Sequence, residues 1–264
     1  MRSYNPPEHI APDFAERTAL KANMPLAKFA ILAILGGAFI AFGALLAVFV
    51  VGNSPTLVAE NPGLAKLLMG ALFPIGLIMI SVAGADLFTS DCAGVTLGRL
   101  QKKIGLDTAL KILLVSYIFN FFGAQIVAYL FTVKAGLLSS APTFDFFSAY
   151  VEAKMNQNFL TVFIKAIAAN WLVCLGTWMG YAANNITGKC IVIWIPIMIF
   201  VTLGYEHSIA NMFFMPAAIY SGIDLTWAAF ATANLIPATL GNIVGGAVFV
   251  GCAYWYTYAH KSLT

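Results

Sequence analysis

Charge is what this chain has least of: 9% of its 264 residues are Asp, Glu, Lys or Arg, where a soluble domain carries about 25%. A water-facing surface needs those charges, so a soluble globular domain is excluded. The 14 Lys and Arg are dispersed, with no basic stripe or aromatic-interleaved patch, and nucleic acid is therefore not an expected partner. Cysteine is sparse as well. Cys92, Cys174, Cys190 and Cys252 stand far apart without a CxxC pair or a Cys/His cluster, which excludes a metal site and a redox pair and reads all four as small core residues. No cofactor is implied. Also absent are a nucleophile motif and an HExxH helix, and the opening "MRSYNPPEHIAPDFAERTALKAN" lacks the basic-then-apolar order of a cleaved signal peptide.

What the chain does have is apolar length, 61% hydrophobic residues. A bilayer core about 30 Å thick takes about 20 largely apolar residues per helix. Phe29 to Ala59, Leu67 to Ala85, Ile112 to Val133, Ala166 to Gly188 and Leu225 to Ala259 carry no charge, and Cys190 to Ile223 is interrupted only by Glu206 and His207. These runs predict an all-α polytopic membrane protein of six spans, with both termini on one side. Lys66, Lys134, Lys154 and Lys165 fall on the far side, and the remaining ten of the 14 Lys and Arg, Arg2 and Lys261 among them, on the side of the termini. That bias predicts cytoplasmic termini in a cell membrane. Three parts are expected: a cytoplasmic tail over 1–25, in which Ala11 to Asn23 forms an amphipathic helix on the membrane surface, a transmembrane domain over 26–259, and a short cytoplasmic end over 260–264. The outer connection "APTFDFFSAYVEAK" predicts a short helix over the outer mouth.

Laying the halves on each other brings "FPIGLIMISVAGADLFTSD" (73–91) against "IPIMIFVTLGYEHSIAN" (195–211). Both read Pro-Ile, then apolar residues, then Gly-x-acid. Gly84 matches Gly204 at an offset of 120, Asp86 matches Glu206, Leu87 matches His207 and Asp91 matches Asn211. Three spans per half make the repeats inverted, and interrupted helices at corresponding positions point to a transport site near the midplane. Charged residues at that depth cost a few kcal/mol by insertion scales (about 2.5–3.5 each), so they face a cavity or a polar partner. His207 is assigned to the path. Glu206, with Gly204 and Asn211, is read as bracing the broken backbone, and Asp86 with Gly84 as doing the same in the first half. A half-helix starting near Ser208, with Ser208 as its N-cap, aims unpaired N–H groups at the midplane, a place for a small anion.

"GADLFTS" (84–90), "ANWLVCLGTWMGY" (169–181), "GYEHSIANMF" (204–213) and "NLIPATLGNIVGG" (234–246), in that order and on those spans, resemble the formate/nitrite transporter family over essentially the whole chain. The resemblance implies an aquaporin-like subunit with broken second and fifth helices, assembled as a homopentamer in which each subunit has its own pore through the lipid bilayer. By matching motifs it implies that Phe73, Leu77, Leu87, Phe88 and Phe200 constrict the pore. It implies that Thr89, His207 and Asn242 meet the anion and that Lys154 faces the outer vestibule. Formate, nitrite and hydrosulfide are the candidate anions. "GADLFTS" is formate-like, whereas Tyr205 is less so. Histidine, with an ordinary pKa near 6.5, suits a relay in which His207 protonates the anion so that it crosses as the neutral acid.

Two other classes compete. An intramembrane enzyme would use Glu206 and His207 as an acid/base pair, with nothing beyond the pair itself in its favour. A neutral-solute pore of the aquaporin type would carry paired Asn-Pro-Ala signatures, which are absent.

Overall fold

A computed structural model describes residues 4–260; Arg2, Lys261 and the rest of the expected C-terminal end past His260 lie outside the described residues. Helix α1 spans Pro7–Ala22 and α2 Leu26–Gly52. They are followed by α3 (Pro62–Ala83), α4 (Phe88–Leu100) and α5 (Leu106–Lys134). The second half holds α6 (Thr143–Met155), α7 (Phe159–Ala182), α8 (Ile186–Thr202), α9 (Ser208–Tyr220) and α10 (Trp227–Ala259). Five of these, α2, α3, α5, α7 and α10, are long and apolar enough to cross a membrane, while α8 and α9 are shorter apolar helices. Leu, Ile and Phe on the outer faces of α2 and α5, and Ile on that of α8, stay exposed, as suits helices that face lipid rather than water.

Long helices pair in the same way in both halves: α2 packs along α5, and α7 along α10. Small residues let the backbones touch. A Cβ at Gly37 would collide with the Asn120 carbonyl, and one at Gly245 with the Ile167 carbonyl. Between these pairs lie two interrupted stretches, α3 with α4 and α8 with α9, and they carry the site.

Two expectations are corrected here. Helix α1 begins at Pro7 rather than Ala11 and does not lie free on the membrane surface. Its apolar face, Ile10, Ala11, Phe14 and Ala15, is buried against Leu97, Cys174, Trp178 and Val250. Ion pair Lys103 to Glu16 (2.5 Å) and the bond from Gln101 Nε2 to the Ala11 carbonyl (3.0 Å) tie it down further. The protein supplies an apolar seat, which removes the need for lipid. Among the cysteines only Cys92 and Cys174 are buried; Cys190 is half-buried and Cys252 exposed, because a small apolar thiol suits an outward face of α8 or α10 as well as a core. Helix α6 forms as expected and seats Phe147 and Val151 in the core.

Candidate functional site

Helix α3 ends at Gly84, whose φ of +86 is left-handed, a conformation that costs a residue with a Cβ roughly 1–2 kcal/mol. The N–H of Ala85 then donates back to the Ile80 carbonyl (3.0 Å), closing the end of the helix. Leu87 is extended, and α4 starts at Phe88. In the second half Gly204 (φ +68) ends α8, Tyr205 N–H donates to the Phe200 carbonyl (3.0 Å), His207 is extended, and α9 starts at Ser208. Gly84 and Gly204 thus end their helices in the same left-handed conformation.

A buried asparagine holds each break. Asn120, on α5, donates from Nδ2 to the carbonyls of Ala33 (2.7 Å) and Asp86 (2.9 Å), while its Oδ1 accepts from Phe88 N–H (2.9 Å). Asn242, on α10, donates to the carbonyls of Ala166 (2.8 Å) and Glu206 (3.0 Å), and its Oδ1 accepts from Ser208 N–H (2.8 Å). Each amide therefore spends both N–H donors on a neighbouring helix and on the break itself. Backbone groups orphaned at this depth have no water to turn to, which explains why a side chain serves them. Asn242, expected to meet the anion, has no donor left for one. That expectation is corrected.

The breaks meet at Thr89 and His207, whose Oγ1 and Nε2 lie 3.1 Å apart, fully buried. His207, not Ser208, is the N-cap of α9: its Nδ1 accepts from Ala210 N–H (3.1 Å). An extended His207 puts the ring over the first turn, and Ser208 becomes the first helical residue, its Oγ buried without a partner. With Nδ1 an acceptor, the neutral ring carries its hydrogen on Nε2 and donates to Thr89 Oγ1. The Thr89 hydroxyl proton then remains free to donate. Asn170 on α7 fixes the backbone at this point, bonding the carbonyls of Thr89 (3.0 Å) and Asn242 (2.6 Å).

Lysines come to both breaks from helices outside the paired bundle. Lys154, on α6, places Nζ 2.9 Å from both oxygens of Glu206, which also accepts from Asn211 (2.8 Å), Asn234 (3.3 Å) and Gln157 (3.2 Å). Glu206 and Asn211 are thus bonded to each other at the second break, while Lys154 is buried and paired rather than open to a vestibule. Burial opposes the charge on Lys154, but the Glu206 carboxylate outweighs it and holds the ammonium pKa above its ordinary value. On the opposite side Lys21, on α1, bonds Asp86 and Asp91 together. There too burial works against the cation and the two carboxylates prevail, raising its pKa.

Two cavities flank the Thr89–His207 contact and share no lining residue. One of about 340 Å³ lies under α1 and is lined by Leu77, Leu87, Asp86 and Asp91, with Arg17, Lys21 and Lys189 at its polar edge. The other, about 20 Å³, is lined by Phe73, Phe200, His207, Tyr205 and Lys154. Phe73 meets Phe200 edge-on with centroids 5.6 Å apart, and Phe200 stacks on His207 at 5.8 Å. Phe88, expected to constrict the path, lines neither cavity and packs against Tyr117 (4.8 Å), because Leu87 takes the extended position at the break and Phe88 turns with α4. Sequence reasoning missed Asn120, Asn170, Asn234 and Lys21. Asparagine inside a charge-free run is the signal that marks the first three.

A family model described as "Formate/nitrite transporter" matches residues 8–256. The chain is 41% identical over 271 residues to a probable formate transporter of Methanothermobacter thermautotrophicus, covering 97% of this chain and 98% of the relative. It is 40% identical over 260 residues to the formate channel BtFdhC of Bacillus thuringiensis, covering 97% and 96%. Among solved structures, a pentameric formate channel with formate bound matches with a TM-score of 0.78 and 31% identity, over 89% of this chain and 98% of that one.

Proposed function

The chain belongs to the formate/nitrite transporter family, and from that premise we propose that it carries formate across the cell membrane through a pore in each subunit, past Thr89 and His207. The observation that carries this reading is the donor left over at the contact. His207 Nε2–H is spent on Thr89 Oγ1, which turns the Thr89 hydroxyl proton outward as a donor to an anion arriving where the two breaks meet. Leu77 and Leu87 on one side and Phe73 and Phe200 on the other keep the passage narrow and dry. The names of the relatives favour formate.

Proton coupling through His207 follows a defined route. Forming the imidazolium requires Nδ1 to take a proton, which releases the Ala210 N–H bond and loosens the first turn of α9. The Nε2 proton then passes to the carboxylate, the neutral acid leaves, and the ring regains its starting form by taking a proton from solution at Nε2 and giving up the one on Nδ1, which restores the Ala210 N–H bond. Glu206 is not available as an acid/base partner, because its oxygens are taken by Lys154, Asn211, Asn234 and Gln157. That argues against an intramembrane enzyme.

Matching clamps at the two breaks support counting α3 with α4 and α8 with α9 as single broken spans, hence six spans in two inverted repeats of aquaporin-like form. The pentameric relative supports a homopentamer, and the Lys/Arg bias supports cytoplasmic termini, with α1 and the larger cavity inside. Flux in proteoliposomes with formate, nitrite and hydrosulfide at two pH values tests the reading. Saturable, anion-selective formate flux is expected; flux of nitrite or hydrosulfide without formate would overturn the substrate, and no anion-selective flux would overturn the function.

A further inference from the structure

Corresponding slots at the two breaks hold different chemistry. In the second half the slots are Glu206 and Asn211: Asn211 Nδ2 donates to Glu206 Oε2 at 2.8 Å, and Lys154 pairs with the same carboxylate. The cluster is neutral, with one ammonium, one carboxylate and one amide. In the first half the slots are Asp86 and Asp91, with Lys21 in the place of Lys154. Asp91 therefore brings a second carboxylate to the position from which Asn211 presents a donor.

Both aspartates are buried, 4% and 1% exposed, and one oxygen of each, Asp86 Oδ1 and Asp91 Oδ2, is buried without a hydrogen-bond partner. The two carboxyls are brought together on one ammonium, Lys21 Nζ bonding Asp86 Oδ2 and Asp91 Oδ1. Arg17 of α1 and Lys189 at the start of α8 line the same cavity, yet among the described residues only Lys21 forms an ion pair with either aspartate. Of the other titratable groups that face the pair, Tyr181 and Cys174 on α7 and Cys92 on α4 itself, none brings a positive charge. Two buried like charges on one ammonium leave a net negative charge in a place that can solvate it poorly, and carboxyl pairs in that situation retain a proton.

We infer that Asp91 carries a proton and donates it to Asp86, an O–H in the slot where Asn211 presents an N–H, which makes the first break a proton-binding site. With that proton the cluster has the charge of its counterpart: one ammonium, one carboxylate and one neutral donor. The proton belongs to the pair rather than to either oxygen, and it exchanges with solution through the cavity of about 340 Å³ that both aspartates line. The second half, with an amide in the slot, has no exchangeable proton to match. The site is therefore one-sided.

Infrared spectroscopy of the full chain in lipid tests this without any substrate, so it stands apart from the transport reading. At pH 7 the wild type is expected to show a carboxylic-acid carbonyl band that shifts in D₂O. The band should be lost in both Asp91→Asn and Asp86→Asn and retained in Glu206→Gln. Asn211 shows that an amide fits the slot, so Asp91→Asn is expected to assemble. If it does not, titration of the wild type decides, with a band present at pH 7 and lost reversibly on raising the pH supporting the site. Absence of the band at pH 7, or its survival in Asp91→Asn, would overturn the inference.

Discussion

Asn120 and Asn242 make the same three hydrogen bonds in opposite halves of the molecule. Each bridges a carbonyl of a neighbouring helix, the carbonyl of the acidic residue in the break, and the first N–H of the following half-helix. The broken helices are thus held open by side-chain amides, and the clamps set where Leu87 and His207 stand.

Truncating either clamp should loosen its own break alone. Asn120→Ala strands Phe88 N–H and two carbonyls away from water, and each buried group left unpaired costs about 1–3 kcal/mol. Peptide-resolved hydrogen exchange should speed up over residues 84–89 and stay unchanged over 204–208, with the reverse pattern for Asn242→Ala. Equal loosening of both breaks in either variant would mean that the clamps are not local.

Thr89→Val keeps the volume of the side chain and removes its hydroxyl. The anion then loses one charge-assisted hydrogen bond, about 1.5–3 kcal/mol, and formate flux should fall roughly 10-fold to 100-fold. Thr89→Ser should retain most of it. Replacing His207 with Phe should abolish proton-coupled uptake, and uptake by His207→Phe that kept its pH dependence in liposomes would rule out the relay.

Lys154 and Glu206 should show strong coupling in a double-mutant cycle. Lys154→Met leaves a buried carboxylate without its cation, a loss of about 3–5 kcal/mol, whereas replacing both members by neutral residues costs far less. Thermal unfolding of Lys154→Met, Glu206→Gln and the double variant in detergent measures this. A double variant no more stable than Lys154→Met would show that the pair is not a unit.

Apolar runs without charge carried the spans into view, and an acid beside a histidine at 206–207 carried the second break. Leu87 against His207, and Asp91 against Asn211, were legible as partners because a repeat preserves spacing. The clamping roles were not, since Asn120 and Asn242 bond backbone groups of distant helices, and a backbone partner leaves no mark in a sequence. The seat of α1 was hidden for a related reason: Ile10 and Phe14 make an apolar face that suits a protein surface as well as a lipid one. Lys21 looked like any cation of a basic-side tail until its helix was docked. Phe88 and Leu87, both apolar and adjacent, could be told apart only by the backbone dihedrals at the break.

That docking leads to the last prediction. Helix α1 covers the larger cavity and is fastened by its apolar face and by Lys21 on Asp86 and Asp91. Because the pKa of Lys21 is raised, its contribution is fully present below the ordinary lysine value of about 10.4 and is lost only as pH rises through the still higher docked value. Between pH 6 and 9 the lysine therefore does not titrate, and release of α1 in that range cannot come from it. Hydrogen exchange over residues 7–22 should accordingly not rise across this range once corrected for the intrinsic rate, since loss of the proton held by Asp86 and Asp91 only adds negative charge beside Lys21, and it should be faster in Lys21→Met at every pH. Deleting residues 1–20 removes the apolar anchor, leaving Lys21 without its helix, and should raise formate flux. A loosening of α1 with rising pH below 9 in the wild type, or an unchanged α1 in Lys21→Met, would show that the lysine does not hold the helix in place.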